Sequence, residues 1–138
     1  MSAEFVDTNV FIYAHDGSAA AKHQKSVALL ERLFDDGNGA ISIQVLAEFY
    51  AAATRKLRMS AMEAEEVVQD LGGWMLHRTS HADLLSASRL RQRHQISWWD
   101  ALILNSAIEL GCTVLWSEDF SHGQNYGGVT ARNPFRDK

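Results

Sequence analysis

The chain is 138 residues long, 46% hydrophobic and 22% charged, enough apolar material for one domain to bury its own core without a staple. No segment approaches the roughly 20 consecutive apolar residues of a membrane span, and the N-terminus lacks an export-signal pattern, so the expectation is a soluble, cytoplasmic protein with no membrane partner. A net charge of −4 speaks against a sequence-blind nucleic-acid binder working by phosphate neutralisation, and a single cysteine, Cys112, excludes an internal disulfide and reads as a small buried thiol.

In chain order, Ala3 to Asp7 reads as a first strand, and Thr8 is placed to cap a short helix through about His15. A longer helix follows, in which Val27, Leu30, Leu33 and Phe34 recur at helical spacing until Asp36-Gly37-Asn38-Gly39 ends it. Ala40 to Ile43 is a short strand. Gln44 to about Leu57 is a helix with Val45, Leu46, Phe49 and Ala53 on one face and Glu48 near its first turn. Ser60 and Glu63 form a capping box that opens a helix ending at Gly72-Gly73. Trp74 to Arg78 reads as a third strand. Helices from about His81 to His94 and from about Trp98 to Leu110 precede a strand over Thr113 to Ser117. Gly123, Gly127 and Gly128 then predict a loop leading to a short strand near Val129 to Ala131. With no repeat or linker, residues 1–138 read as one domain. The alternation predicts an α/β fold with a short parallel sheet covered on both faces, in which ligands collect beyond the carboxyl ends of the strands.

Four acids fall at such ends or at helix starts. Asp7 closes the first strand, Glu48 follows Val45-Leu46-Ala47, Asp100 divides Trp98-Trp99 from Ala101-Leu102-Ile103-Leu104, and Asp119 follows Val114-Leu115-Trp116. Three have a plainer use: Asp7 as a turn residue, Glu48 as an acid near a helix start, Asp100 at the third helical position after the Ser97 cap. Glu118 and Asp119 are adjacent, and strand alternation sends Ser117 and Asp119 to one side, which favours Asp119. Carboxylates ~4 Å apart at an effective dielectric near 20 repel by roughly 4 kcal/mol per pair, so a fold that gathers them calls for a hard divalent cation.

Other candidate sites are weaker. His77 and His81 have HxxxH spacing, but a strand-to-helix junction at Thr79-Ser80 separates them, so they do not share a helix face as a zinc motif requires. There is no nucleophile elbow, P-loop or dinucleotide fingerprint. Arg55, Lys56 and Arg58 form one basic cluster, and Arg89, Arg91 and Arg93 another; a solvated helix flank accounts for both. Trp98, Trp99 and Tyr126 are candidates to stack on exposed bases, with core packing the alternative use.

Four segments together resemble the PIN-domain ribonucleases, and among them the VapC-type toxins of toxin-antitoxin pairs: Phe5-Val6-Asp7-Thr8-Asn9-Val10, Ile43-Gln44-Val45-Leu46-Ala47-Glu48-Phe49, Trp99-Asp100-Ala101-Leu102-Ile103 and Leu115-Trp116-Ser117-Glu118-Asp119-Phe120. The resemblance implies a PIN-like α/β/α sandwich that binds Mg²⁺ or Mn²⁺ and cleaves RNA as an endoribonuclease. It implies Asp7, Glu48, Asp100 and Asp119 as the catalytic and metal-binding quartet, with Asn9 and Ser117 as supporting polar groups. One departure is that Phe120 follows Asp119 directly, where many members have two intervening residues, which keeps Glu118 as the alternative fourth acid. The resemblance further implies a homodimer and a small cognate antitoxin, for which Val67, Val68, Leu71 and Tyr50 offer apolar surface. Two rival readings are a catalytically silent interaction module and a metal-dependent phosphatase with Asp7 as nucleophile. The latter wants an acid at position 9, where this chain has Asn9.

Overall fold

In the computed structural model, which describes residues 2–136, strands and helices alternate as expected. In chain order they are β1 (Glu4–Val6), α1 (Thr8–Ala14), a 3-10 turn (Gly17–Ala19), α2 (Ala21–Asp36), β2 (Gly39–Ser42), α3 (Ile43–Lys56), α4 (Ala61–Leu71), β3 (Met75–His77), α5 (His81–His94), α6 (Trp98–Glu109), β4 (Val114–Trp116), β5 (Asn125–Tyr126) and β6 (Val129–Arg132). The sheet has six strands in the order β3-β2-β1-β4-β6-β5. Every pairing is parallel except β5 with β6, and helices cover it as an α/β/α sandwich. No helix among the described residues is long and apolar enough to cross a membrane.

The parallel register explains the core. Phe5 lies opposite Ala40 of β2 and Leu115 of β4, and Leu115 lies opposite Ala131 of β6; all four are fully buried. Large side chains on the two central strands are thus flanked by small ones, as close packing requires. Gly39 opens β2 because a Cβ there would stand 2.7 Å from the Trp74 ring. Trp74 meets Phe11 and Phe34 with centroids 5.7 and 5.1 Å apart, sealing that edge.

Local caps fix the helix starts. Asp7, not Thr8, caps α1: its backbone is extended and its carboxylate accepts the Thr8 N–H. Thr8 is freed for a different contact. Ser42 caps α3, so that helix starts at Ile43 and puts Glu48 in the second turn rather than the first. Capping boxes open α4 (Ser60 and Glu63) and α5 (Ser80 and Asp83); the first is predicted by sequence, the second is not. Nor is β5 predicted, a two-residue strand that returns through Gly127 and Gly128, both at positive φ. Phe34, expected on the buried stripe of α2, is half exposed and packs edge-on to Trp74.

Candidate metal and catalytic site

The carboxyl ends of β1 and β4 are adjacent, because the two strands pair and the Asp7 N–H donates to the Trp116 carbonyl at 3.0 Å. Beyond that point both chains leave the sheet, and their next side chains converge. Asp7 is buried, with Oδ1 accepting the Thr8 N–H at 2.7 Å and Oδ2 accepting the Ser117 hydroxyl at 2.7 Å. Ser117 Oγ in turn accepts the Asp119 N–H at 3.1 Å. The Asn9 amide, two positions into α1, donates to Asp119 Oδ2 at 3.3 Å. Asp100 enters from the first turn of α6, where its N–H donates to Ser97 Oγ at 3.1 Å. Asp7, Asp100 and Asp119 each present a carboxylate oxygen within 4.8 Å of the other two.

Glu48 stands at the edge of this trio. Its Oε1 accepts the Thr8 hydroxyl at 2.7 Å and its Oε2 the Gln44 amide at 3.4 Å, and it lines the same cleft as the three aspartates. Glu118 goes elsewhere: it accepts the Tyr13 hydroxyl at 2.7 Å and pairs with Lys22 at 2.9 Å. Of the two adjacent acids, Asp119 is the one in the cluster.

The electrostatics reflect the crowding. Burial pushes the Asp7 carboxyl up to about 7, reinforced by Asp119 and Asp100 and opposed by the hydrogen bonds from Ser117 and Thr8. Asp100 is raised by burial first, then by Asp119 and Glu48, against the Ser97 contact. Asp119 is raised by burial and by Glu118. Each shift says that the charged form lacks a counter-charge. The donor set is all carboxylate oxygen, which suits a hard octahedral cation such as Mg²⁺ or Mn²⁺ and disfavours soft metals. Asp7 retains lone pairs for a ligand bond after its two hydrogen bonds, since a carboxylate offers about four acceptor sites. The residues therefore fit such an ion.

The cleft has a volume of about 440 Å³ and continues along one face of α3 through Gln44, Glu48, Ala51, Ala52, Arg55 and Lys56, with Trp99 on its rim. Sequence alone assigns Gln44 no role and leaves Arg55 and Lys56 on a plain solvated flank; their spacing from Glu48, at i−4, i+7 and i+8, is the signal that puts all of them on its face. Thr8 escapes notice as the Glu48 partner because its expected cap role belongs to Asp7.

Other candidates are placed away from the cleft. Tyr126 is buried between Phe120 and His94, which removes it as a base-stacking residue. Trp98 packs beside Ala87, Ala101 and Leu102. His77 lies on β3 and meets Ser106 and Asp83, while His81 opens α5, so the two form no shared metal site. Leu71 is buried, and Val67 and Val68 pack against the core, leaving Tyr50 as the exposed member of that apolar set. The Cys112 thiol is pushed up to about 12, by burial first and Glu4 second, and is inert at neutral pH.

The family model described as PIN domain matches residues 5–125. A search of curated proteins finds no match. Solved structures of similar fold include a toxin-antitoxin complex from Klebsiella pneumoniae, with TM-score 0.71 and 22% identity over 96% of this chain and 98% of that one. DNA-bound VapBC from Salmonella typhimurium has TM-score 0.68 and 16% identity over 97% and 99%. A sarcin-ricin-loop-cleaving VapC toxin from Mycobacterium tuberculosis has TM-score 0.64 and 17% identity over 85% and 90%. At such identities the likeness bears on fold.

Proposed function

The chain belongs to the PIN domain family, and from that premise we propose that it is a metal-dependent endoribonuclease acting as the toxin of a toxin-antitoxin pair. The observation that carries this reading is the convergence of Asp7, Asp100 and Asp119 within 4.8 Å, from positions up to 112 residues apart (119 minus 7). Glu48 completes the proposed quartet. The cofactor is Mg²⁺ or Mn²⁺, held chiefly by the three aspartates; when bound, it supplies charge opposite the scissile phosphate and acidifies water.

The chain's own groups divide the remaining work. Ser117 and Thr8 fix the Asp7 carboxylate from both sides, Asn9 orients Asp119, and the Thr8 hydroxyl holds Glu48. Glu48, outside the tight trio but lining the same cleft, is the group we assign to accept the proton of the attacking water. In-line hydrolysis then breaks the phosphorus–oxygen bond without a covalent enzyme intermediate. The phosphatase reading is disfavoured because position 9 is an amide directed at Asp119.

A small antitoxin is the partner proposed, supported by the similar folds solved in toxin-antitoxin complexes; a second copy of this chain, and one domain over 1–138 acting in the cytoplasm, complete the proposed reading. The test is cleavage of mixed cellular RNA in Mg²⁺, Mn²⁺ or chelator, beside an Asp100→Asn variant shown folded by circular dichroism. Metal-dependent fragments absent from the variant are expected. A folded wild type that cleaves nothing in either metal would favour an interaction module whose acids meet a partner's basic residues.

A further inference from the structure

Resting on the nuclease reading, we infer that Trp99, with Arg55 and Lys56, forms a subsite for the nucleotide next to the scissile phosphate, Trp99 stacking on its base and the two cations holding its phosphate. Trp99 is 61% exposed, although it adjoins a cluster acid and lies one residue from Trp98, which is partly buried against Ala87, Ala101 and Leu102. An indole left in water beside a polar cleft is unpaired apolar surface, and a base is a flat partner of matching size.

Its presentation is fixed from two directions. The Ser97 cap sets the first turn of α6, and the Gln44 amide of α3 donates to the Trp99 carbonyl at 3.3 Å while also reaching Glu48 at 3.4 Å. One side chain therefore ties the Trp99 main chain and the fourth acid to each other.

Helix α3 supplies the phosphate contact. From Glu48 to Arg55 is seven residues (55 minus 48), about 10 Å along the helix axis at ~1.5 Å per residue. At that offset from the carboxylates along the same cleft, Arg55 and Lys56 are assigned to the adjacent phosphate. Both are exposed, and neither has an ion-pair partner among the described residues. Between acids and cations the cleft is lined by Ala51 and Ala52, whose short side chains leave room for a sugar and base. A base lying on Trp99 has left its own stack, which a duplex resists and a single strand permits.

The experiment is fluorescence anisotropy of a labelled single-stranded RNA oligonucleotide, and of the same RNA annealed to its complement, in Ca²⁺ under conditions where no cleavage is seen. Wild type, Trp99→Ala, Trp99→Phe and the double variant Arg55→Ala/Lys56→Ala are compared, with cleavage in Mg²⁺ or Mn²⁺ measured in parallel. Trp99→Ala should weaken single-strand binding about tenfold with the salt slope unchanged, and Trp99→Phe should recover most of it. Duplex binding should not move. The double variant should flatten the salt slope by about 0.7, for the one phosphate no longer neutralised. Equal single-strand binding by wild type and Trp99→Ala, or equal weakening on single strand and duplex, would overturn the subsite while metal-dependent cleavage by wild type left the nuclease reading standing. A wild type that neither binds nor cleaves RNA would remove both.

Discussion

Asp7 is the residue at which folding and chemistry oppose each other most directly. Its carboxyl is raised from 3.8 to about 7, chiefly by burial, so in metal-free protein it contributes stability present below about pH 3.8 and lost as pH rises through 7. Roughly three pH units at ~1.36 kcal/mol each set an upper limit of about 4 kcal/mol on that loss. Asp7→Asn should therefore be more stable than wild type at pH 8 in chelator, with the advantage fading toward pH 5; parallel denaturant midpoints at both values would refute the account. Protons and cation compete for the same oxygens, so Mg²⁺ should bind more tightly as pH rises from 6 to 8, as calorimetry can follow. Thr8 gives a milder test. Thr8→Val deletes the hydroxyl that holds Glu48 but keeps the shape, and should slow RNA cleavage about tenfold or more while shifting thermal stability little.

At the scale of elements, β3, α5 and α6 are joined by a polar cluster that the sequence alone does not announce. Asp83, in the first turn of α5, accepts the Asn105 amide of α6 at 3.0 Å and the Ser80 N–H at 2.7 Å, and meets His77 of β3 at 3.2 Å. His77 also contacts Ser106 of α6 at 2.8 Å. Burial works against the Asp83 charge, but the contacts from Ser80, Asn105 and His77 outweigh it and hold the carboxyl below its ordinary value. Its stabilising effect is thus present above about pH 3.8 and lost as pH falls through the lower folded value. Asp83→Ala should cost roughly 2 to 3 kcal/mol by orphaning the buried Asn105 amide, measured by urea denaturation at neutral pH; a loss under about 0.5 kcal/mol, the scale of an ordinary surface substitution, would show the cluster to be dispensable. Asp83 is hidden in the sequence because a helix-start acid is adequately explained by its cap, and its tertiary partner lies 22 residues on. Long periodic elements are legible for the opposite reason: the Val45-Leu46-Phe49-Ala53 face, for example, is written locally. Tyr126 and β5 are not, since two residues carry no period and their place is set by β6. Among the acids, the order along the chain is visible, whereas the turning away of Glu118 depends on Lys22 and Tyr13, which lie 96 and 105 residues upstream.

For the whole molecule, a cation that binds only the folded chain must raise its melting temperature, by about 2.7 kcal/mol of stability at a hundredfold excess over the dissociation constant. Mg²⁺ or Mn²⁺ should do so for wild type and not for an Asp7→Asn/Asp119→Asn double variant, as differential scanning fluorimetry can report; an equal rise in both would place the ion elsewhere. The adjacency of β1 and β4 has one more consequence, in time rather than space. Asp7 leaves the ribosome 112 residues ahead of Asp119 (119 minus 7), and the β6 strand that braces Ser117 through the Arg132 carbonyl follows later still. At about 5 to 20 residues per second the interval between the two aspartates is roughly 6 to 22 s. Throughout it the nascent chain carries Asp7 without the groups that complete its cluster, so the site can form only after β4, Asp119 and β6 have emerged.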